Sequence, residues 1–519
     1  MRLAAVTALA ALALAPAAAA QPNVLLINTD DQRWDTLEYM PTVTSELVGK
    51  GVTFSNSFVV NAVCCPSRAS LLTGRWSHST GVWGIKGPHG GFHVFDDRST
   101  LPVWLNDVGY ETMLAGKYLN GYLDGAYVPP GWDRWFAHTR NENAYFGWGA
   151  SEDGTAVEFG SEPGDYATDV LASRAVDFIH DTAGEPFFLY FAPKAPHYDV
   201  PGSVTPAPRH AGAYPDLPAW RPPNLNERWV GDKPDYVRSR PRIPLDRIAE
   251  FRQDQLESLL AVDEAIAAML AALRETGELA DTLIIFTSDN GYGWGEHRRM
   301  NKVAPYEESI RVPLVIRWDA LGIPARTSPQ LVLNVDLAET IAAAAGIAVP
   351  TEGRNLLPLI LDARRGWRTS FLVESDMWPD MRVPAYCAFR SSGWKYVQYA
   401  TGEEELYNLC RDPYEVGNIG LKRLRLLTMK FRRRVQLSAC RPPHFRPLPN
   451  CTMMGTRRSD SIRGSRKRDW ICAGRGRDRI NVRRGGRDVV RCGSGFDRVW
   501  ADKRDVLYRC EQRSRRRIP

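Results

Sequence analysis

Residues 23–31 read NVLLINTDD, from Asn23 to Asp31. A short, unbroken apolar run with β-branched character, closed by acidic residues, is the pattern of a strand buried on both faces. Two later stretches repeat it. PFFLYFAP fills 186–193, and TLIIFTSDNG fills 282–291 and ends in Asp289-Asn290. Between them lie helical patterns: PSRASLLT at 66–73 with Pro66 near its start, and alanines and leucines at helical spacing over 251–274. TLPVWLNDVGYETMLAGK, ending at Lys117, reads as a helix, a stop at Gly109 and another strand. Helices alternating with buried strands predict an α/β fold with a largely parallel sheet flanked by helices. In such sheets ligands bind beyond the carboxyl ends of the strands. Asp30-Asp31, the segment Cys64 to Arg68, and Asp289-Asn290 are therefore expected to converge at one edge.

The chain of 519 residues, 44% hydrophobic and 24% charged, is long enough for one large domain with additions. Its first twenty residues, MRLAAVTALAALALAPAAAA, have the charged start, short apolar run and small-residue end of a secretory signal. They read as a signal at 1–20, and no other segment is apolar and long enough for a stable membrane span. The expected divisions are a catalytic domain at 21–362, a C-terminal subdomain at 363–445 and a tail at 446–519. The text FLVESD, YCAFRSSGWKYVQYA and EELYNL suggests antiparallel strands in the subdomain. LKRLRLLTMKFRRRVQLSAC at 421–440 suggests a basic amphipathic helix packing its apolar face. Residues 200–245 are rich in Pro, Arg and Trp without periodicity, and read either as a border of the pocket or as a surface insertion.

The formal charge of +6 is unevenly placed, since residues 451–519 hold 21 Lys+Arg against 8 Asp+Glu. Asp460, Asp469, Asp478, Asp488, Asp497 and Asp505 recur there at roughly nine-residue spacing among glycines. This resembles the nonapeptides of calcium-binding β-rolls, degenerated by arginines that oppose a bound cation. A basic tail on an exported chain suits contact with a polyanion. Nucleic acid is not expected, because no reading module is recognisable. Seven of the nine cysteines follow residue 380, where export makes disulfides plausible.

The remaining two cysteines open the segment Cys64-Cys65-Pro66-Ser67-Arg68, which continues to Thr73-Gly74-Arg75. A vicinal disulfide or structural thiols are the bland readings. But the segment closely resembles the signature of the sulfatase family, Cys-x-Pro-Ser-Arg followed by Thr-Gly-Arg. The resemblance runs from about residue 22 to 420 and is nearest to the branch of N-acetylglucosamine-6-sulfatases and heparan endosulfatases. It implies an alkaline phosphatase-like fold and hydrolysis of a sulfated sugar or aryl sulfate. It further implies that a separate maturation enzyme oxidises Cys64 to formylglycine, whose hydrate attacks sulfur with one hydroxyl and expels sulfate with the other. Asp30, Asp31, Cys64, Asp289 and Asn290 would hold one Ca²⁺, for which such oxygen ligands are suited. Arg68 would stabilise the modified residue, Lys117 and Lys302 would bind sulfate oxygens, and His197 or Lys302 would assist the leaving group.

One position departs from the family pattern. Many sulfatases have Gly-Lys-Trp-His where this chain has Gly116-Lys117-Tyr118-Leu119-Asn120. Asn120, His78 and His297 are the candidates for the missing histidine's place, His297 first because it sits between Asp289-Asn290 and Lys302, and it is also expected as a substrate contact. A formylglycine phosphodiesterase or phosphonate hydrolase on the same fold is the alternative activity.

Overall fold

The computed structural model describes residues 21–123, 125–139, 144–199, 202–420 and 425–445, and seven short strands of the tail. Residues 1–20, with their signal pattern, lie outside the described residues. Ten strands form the main sheet: β1 (Asn23–Thr29), β2 (Val52–Phe58), β3 (Glu111–Gly116), β4 (Arg134–His138), β5 (Gly149–Glu152), β6 (Thr155–Glu158), β7 (Phe187–Ala192), β8 (Thr282–Ser288), β9 (Leu314–Arg317) and β10 (Arg326–Leu333). Their order is β10-β2-β9-β8-β1-β7-β3-β4-β5-β6. Strands β8, β1, β7, β3 and β4 are mutually parallel, as are β10 and β2. Strand β9 runs against both its neighbours, and β5 runs against β4.

Strand β1 occupies the centre because every residue of it is buried. Val24 and Leu26 face one layer, with Leu71 and Leu72 of helix Cys64–Thr73 and Leu337 of helix Val335–Ala344. Leu25 and Ile27 face the other, with Leu171 of helix Ala167–Asp181 and Val262 and Ile266 of helix Leu245–Glu275. The alternation is that of a strand covered on both sides.

A smaller antiparallel sheet follows: β11 (Ser370–Ser375), β12 (Tyr386–Ser391), β13 (Trp394–Tyr399) and β14 (Glu404–Asn408), paired in chain order. Helix Arg425–Leu437 packs Phe431 and Val435 on it beside Tyr396 and Leu406, as its apolar periodicity predicts. A disulfide joins Cys387 of β12 to Cys440 just beyond that helix.

In the tail, β15 (Met453–Met454), β16 (Ser461–Arg463), β17 (Trp470–Cys472), β18 (Arg479–Asn481), β19 (Val489–Arg491), β20 (Arg498–Trp500) and β21 (Val506–Tyr508) pair in parallel with the next strand but one. Alternate strands thus build two sheets, a roll-like topology. Each strand from β16 on begins directly after one of the recurring aspartates, which themselves lie outside the described residues.

Loop-closure entropy makes the disulfide a testable support of the small sheet, since its loop spans 53 residues. Replacing Cys387 and Cys440 together by Ser is expected to remove roughly 2–5 kcal/mol of stability. Replacing the exposed Cys410, which has no disulfide partner among the described residues, should leave the urea midpoint unchanged. Equal midpoints for the two variants would refute this role.

Candidate active site

Because β1, β3, β7 and β8 run the same way, their carboxyl ends deliver Asp30, Lys117, His197 and Asp289 to one edge. Strand β2 leads the chain to the same edge, where Cys64 opens the helix Cys64–Thr73. All ten residues of that helix are buried. The β1 and β8 ends are in register, Thr29 opposite Ser288, which sets the two acidic pairs side by side. Asp31 adopts φ 68°, a left-handed backbone rarely used outside glycine, at the turn out of β1. Gly116 precedes Lys117 with φ 128°, and a side chain there would collide with the Ala192 carbonyl of β7.

The side chains form one buried ionic cluster. Arg68 Nε donates to Asp289 Oδ2 at 2.7 Å, and its Nη1 donates to the Lys117 carbonyl at 2.7 Å. Lys117 Nζ donates to Asp30 Oδ2 at 2.5 Å. Lys302 Nζ donates to Asp31 Oδ1 at 2.5 Å and lies 3.6 Å from Asp30 Oδ1. Asn290 Nδ2 donates to Asp31 Oδ1 at 2.6 Å. His197, reached from β7 through a cis Ala195–Pro196 bond, places Nε2 3.7 Å from Asp31 Oδ2. Its Nδ1 donates to the Tyr198 carbonyl at 2.5 Å, which fixes the tautomer.

Burial works against the charge on Asp30, yet Lys117, His197, Lys302 and Arg68 hold its carboxyl well below the usual range. Burial, opposed by Lys302 and reinforced by Asp30 and Asp289, pushes Asp31 up to about 7. Burial and Asp30 also raise Asp289. Burial pushes the Cys64 thiol up and pushes His197 well down, toward the neutral ring. Burial opposes the charge on Lys302, but Asp31, Cys64, Asp30 and Asp289 keep it well above its ordinary value.

The donor set fits a hard divalent cation. Asp30 Oδ1, Asp31 Oδ2 and Asn290 Oδ1 are buried oxygens that accept no hydrogen bond. Ligand atoms of Asp30, Cys64 and Asp289 lie within 4.8 Å of one another, as do those of Asp30, Asp31 and His197. Carboxylate and amide oxygens in such an arrangement suit calcium or a similar ion.

Cys64, Arg68, Lys117, His197, Lys302, Asp30, Asp31, Asp289 and Asn290 are thus brought together. His297 is not. Its φ of 51° turns the ring into a separate buried network, where Nδ1 meets Glu227 at 2.5 Å and the ring stacks on Tyr306 at 3.7 Å. His78 is held by Glu374 through Nδ1 at 2.8 Å. Of the three candidates for the missing histidine's place, Asn120 stands against Cys64, accepting from Sγ at 3.1 Å.

Sequence reading missed His138, at the end of β4, and Lys194. Burial first, then Lys194, Lys117 and Arg68, lowers His138 to about 3. Lys194 lies over the Tyr145 ring at 3.7 Å, and burial lowers its pKa well below the ordinary lysine value. It also missed Arg33, which bonds Glu296 at 3.0 Å while lying over Trp294 and Trp220, pinning part of segment 200–245 above β1.

The profile described as Sulfatase matches residues 22–347, well over half of the chain. The chain belongs to the sulfatase family. The profile described as N-sulphoglucosamine sulphohydrolase, C-terminal, matches residues 295–437 of this sulfatase. Human N-acetylglucosamine-6-sulfatase is 33% identical over 458 residues, covering 77% of this chain and 81% of that protein. The arylsulfatase of Volvox carteri is 34% identical over 481 residues, covering 78% and 73%. A solved structure of a protein in complex with its substrate D-glucosamine-2-N,6-O-disulfate superposes with a TM-score of 0.69 at 25% identity. That match covers 80% of the sulfatase and 97% of the other chain.

The Arg68–Asp289 pair is fully buried. Arg68→Ala leaves a buried carboxylate without its cation, so the expected loss of stability is about 3–5 kcal/mol. Chemical denaturation measures it, and a loss below about 1 kcal/mol would mean that water or another cation replaces the guanidinium.

Proposed function

We propose that this sulfatase hydrolyses the sulfate ester of a sulfated sugar of the N-acetylglucosamine-6-sulfate class, with Cys64 oxidised to formylglycine and one calcium ion bound. The observation that carries the reading is the placement of Cys64 at the start of a buried helix, among Asp30, Asp289, Arg68 and Lys117. The human relative's name and the glucosamine disulfate bound by the structural neighbour support the substrate class.

A formylglycine hydrate supplies two hydroxyls on one carbon, so attack on sulfur and release of sulfate use different oxygens. Asp30, Asp31, Asp289, Asn290 and the oxidised Cys64 side chain would hold calcium, whose charge favours an ionised hydroxyl beside it. Arg68 fixes Asp289 and the Lys117 backbone, so the ligands keep their places without moving during the reaction. Lys117 and Lys302 place two ammonium groups where sulfate oxygens accumulate charge. Lys302 also lines the neighbouring cavity and is therefore positioned to deliver a proton to the leaving sugar oxygen. Neutral His197, with Nδ1 already donating, presents Nε2 as an acceptor on the same side. Asn120 accepts from the residue-64 side chain and orients it in place of the family's histidine.

Export is part of the same proposal. Residues 1–20 carry the signal pattern and the Cys387–Cys440 disulfide suits an oxidising compartment. No helix among the described residues is long and apolar enough to cross a membrane. The basic tail is the segment to contact a polyanionic glycan, and deleting 451–519 should reduce retention on heparin at low salt.

Two measurements test the chemistry. The peptide spanning residues 61–68 of active protein should carry the mass of an aldehyde or its hydrate in place of the thiol. Cys64→Ala should lower kcat on 4-nitrophenyl sulfate by roughly a thousandfold or more. An active preparation with an intact thiol would sink the nucleophile assignment. Faster turnover of a phosphonate monoester than of the sulfate would replace the reaction assigned.

A further inference from the structure

A cavity of about 200 Å³ opens beside Lys302, walled by Tyr198, Phe251, Tyr292, Asn301 and Lys302 and reached by Arg247. It adjoins the catalytic cluster, because Lys302 belongs to both and Tyr198 stacks on His197 with ring centroids 4.4 Å apart. The volume falls below the roughly 300–1,000 Å³ of most small-molecule sites and suits a single sugar ring. Phe251 and Tyr292, their rings stacked at 5.2 Å, give the cavity an aromatic wall, of the kind suited to the apolar face of a sugar ring.

Arg247 is the unexpected member. It stands in the first turn of the 31-residue helix Leu245–Glu275 and is exposed. Its backbone amide donates to Asp246 Oδ1 at 2.8 Å, while its guanidinium has no hydrogen-bond or ion-pair partner among the described residues. Other arginines around this face are committed. Arg252 donates to the Pro218 carbonyl at 2.8 Å, and Arg209 bridges Asp169 and Glu264. The Arg247 guanidinium lies over Gly202, where an added Cβ would stand 2.9 Å from Nη2. The positive end of the helix dipole reinforces its charge. An uncommitted guanidinium at the mouth of an aromatic cavity is suited to pairing with a planar or tetrahedral oxyanion.

We propose that this cavity is the subsite for the sugar ring bearing the scissile ester, and that Arg247 pairs with a second anionic group, a sulfate or a carboxylate, on the same glycan. The inference rests on the sulfated-sugar reading above and makes the preferred substrate doubly anionic. Arg247 acts on specificity and does not touch the reacting sulfur.

The test measures binding, so that it does not depend on turnover. The full chain carrying Cys64→Ala is titrated by calorimetry with three ligands. N-acetylglucosamine-6-sulfate carries one anion. Glucosamine-2-N,6-O-disulfate adds a sulfate, and a disaccharide of 6-sulfated glucosamine with a uronate adds a carboxylate. At least one two-anion ligand should bind about tenfold more tightly than the one-anion ligand, and which one does identifies the group read. Adding Arg247→Ala should bring that ratio close to one, and Arg247→Lys should retain most of it. A parent chain without the preference, or a ratio that survives Arg247→Ala, overturns the subsite. Sulfate release by the chain with native Cys64 is assayed separately. If that fails while the Arg247-dependent ratio persists, the reaction is at fault and the subsite stands.

Discussion

Three carboxylates buried at one sheet edge, Asp30, Asp31 and Asp289, are the constraint to which the rest of the sulfatase is fitted. Carboxylates removed from water cost several kcal/mol each unless cations and donors meet them. The chain supplies three cations from three separate places: Arg68 from a helix, Lys117 from the end of β3 and Lys302 from a loop. The cluster is then balanced, and a bound divalent ion would leave it positive by two. That is the field an anionic ester needs. The central position of β1, between β7 and β8, follows from the same requirement, since it sets the two acidic pairs adjacent.

The small C-terminal sheet serves this site from outside it. Tyr386 of β12 donates to the Val303 carbonyl at 2.8 Å, one residue beyond Lys302. Lys395 of β13 meets Glu415 at 2.5 Å and Glu307 at 3.3 Å, and Arg390 of β12 meets Glu307 at 3.0 Å. These buried pairs clamp the segment that carries Lys302 between two sheets. Mobility there would loosen an ammonium that needs a fixed position, so the second sheet contributes order where the first offers only a loop.

Much of this was legible in the sequence. The runs at 23–29, 187–192 and 282–288 could be read as buried strands because their apolar content leaves no solvent face, and the acidic pairs after them mark the strand ends. The helix at Cys64 was legible from Pro66 and the signature around it. What could not be read depends on the path of loops. His297 was the preferred candidate on paper, for its place between Asp289-Asn290 and Lys302, but a left-handed turn there carries its ring to Glu227, and Asn120 stands at Cys64 instead. Lys194 and His138 gave no local signal, because a lysine looks solvated until an aromatic ring and a sheet edge enclose it. Strand β9 entered the sheet against the parallel grain, and four residues of apolar sequence carry no sign of direction. Arg247 and Gly202 meet across a segment without periodicity, where only the folded chain shows which residues face each other.

The sheet order also imposes a clock. Cys64 is 3% exposed in the finished fold and lies beside Asp289, which follows β8 about 220 residues later in the chain. At ordinary synthesis rates of about 5–20 residues per second, roughly 10–45 seconds pass after Cys64 is made before the strand that delivers Asp289 to it exists. Any enzyme that oxidises this thiol must work within that interval, or on a chain held unfolded. Once Asp289 docks against Arg68, the same contacts that make the site reactive close it to modification.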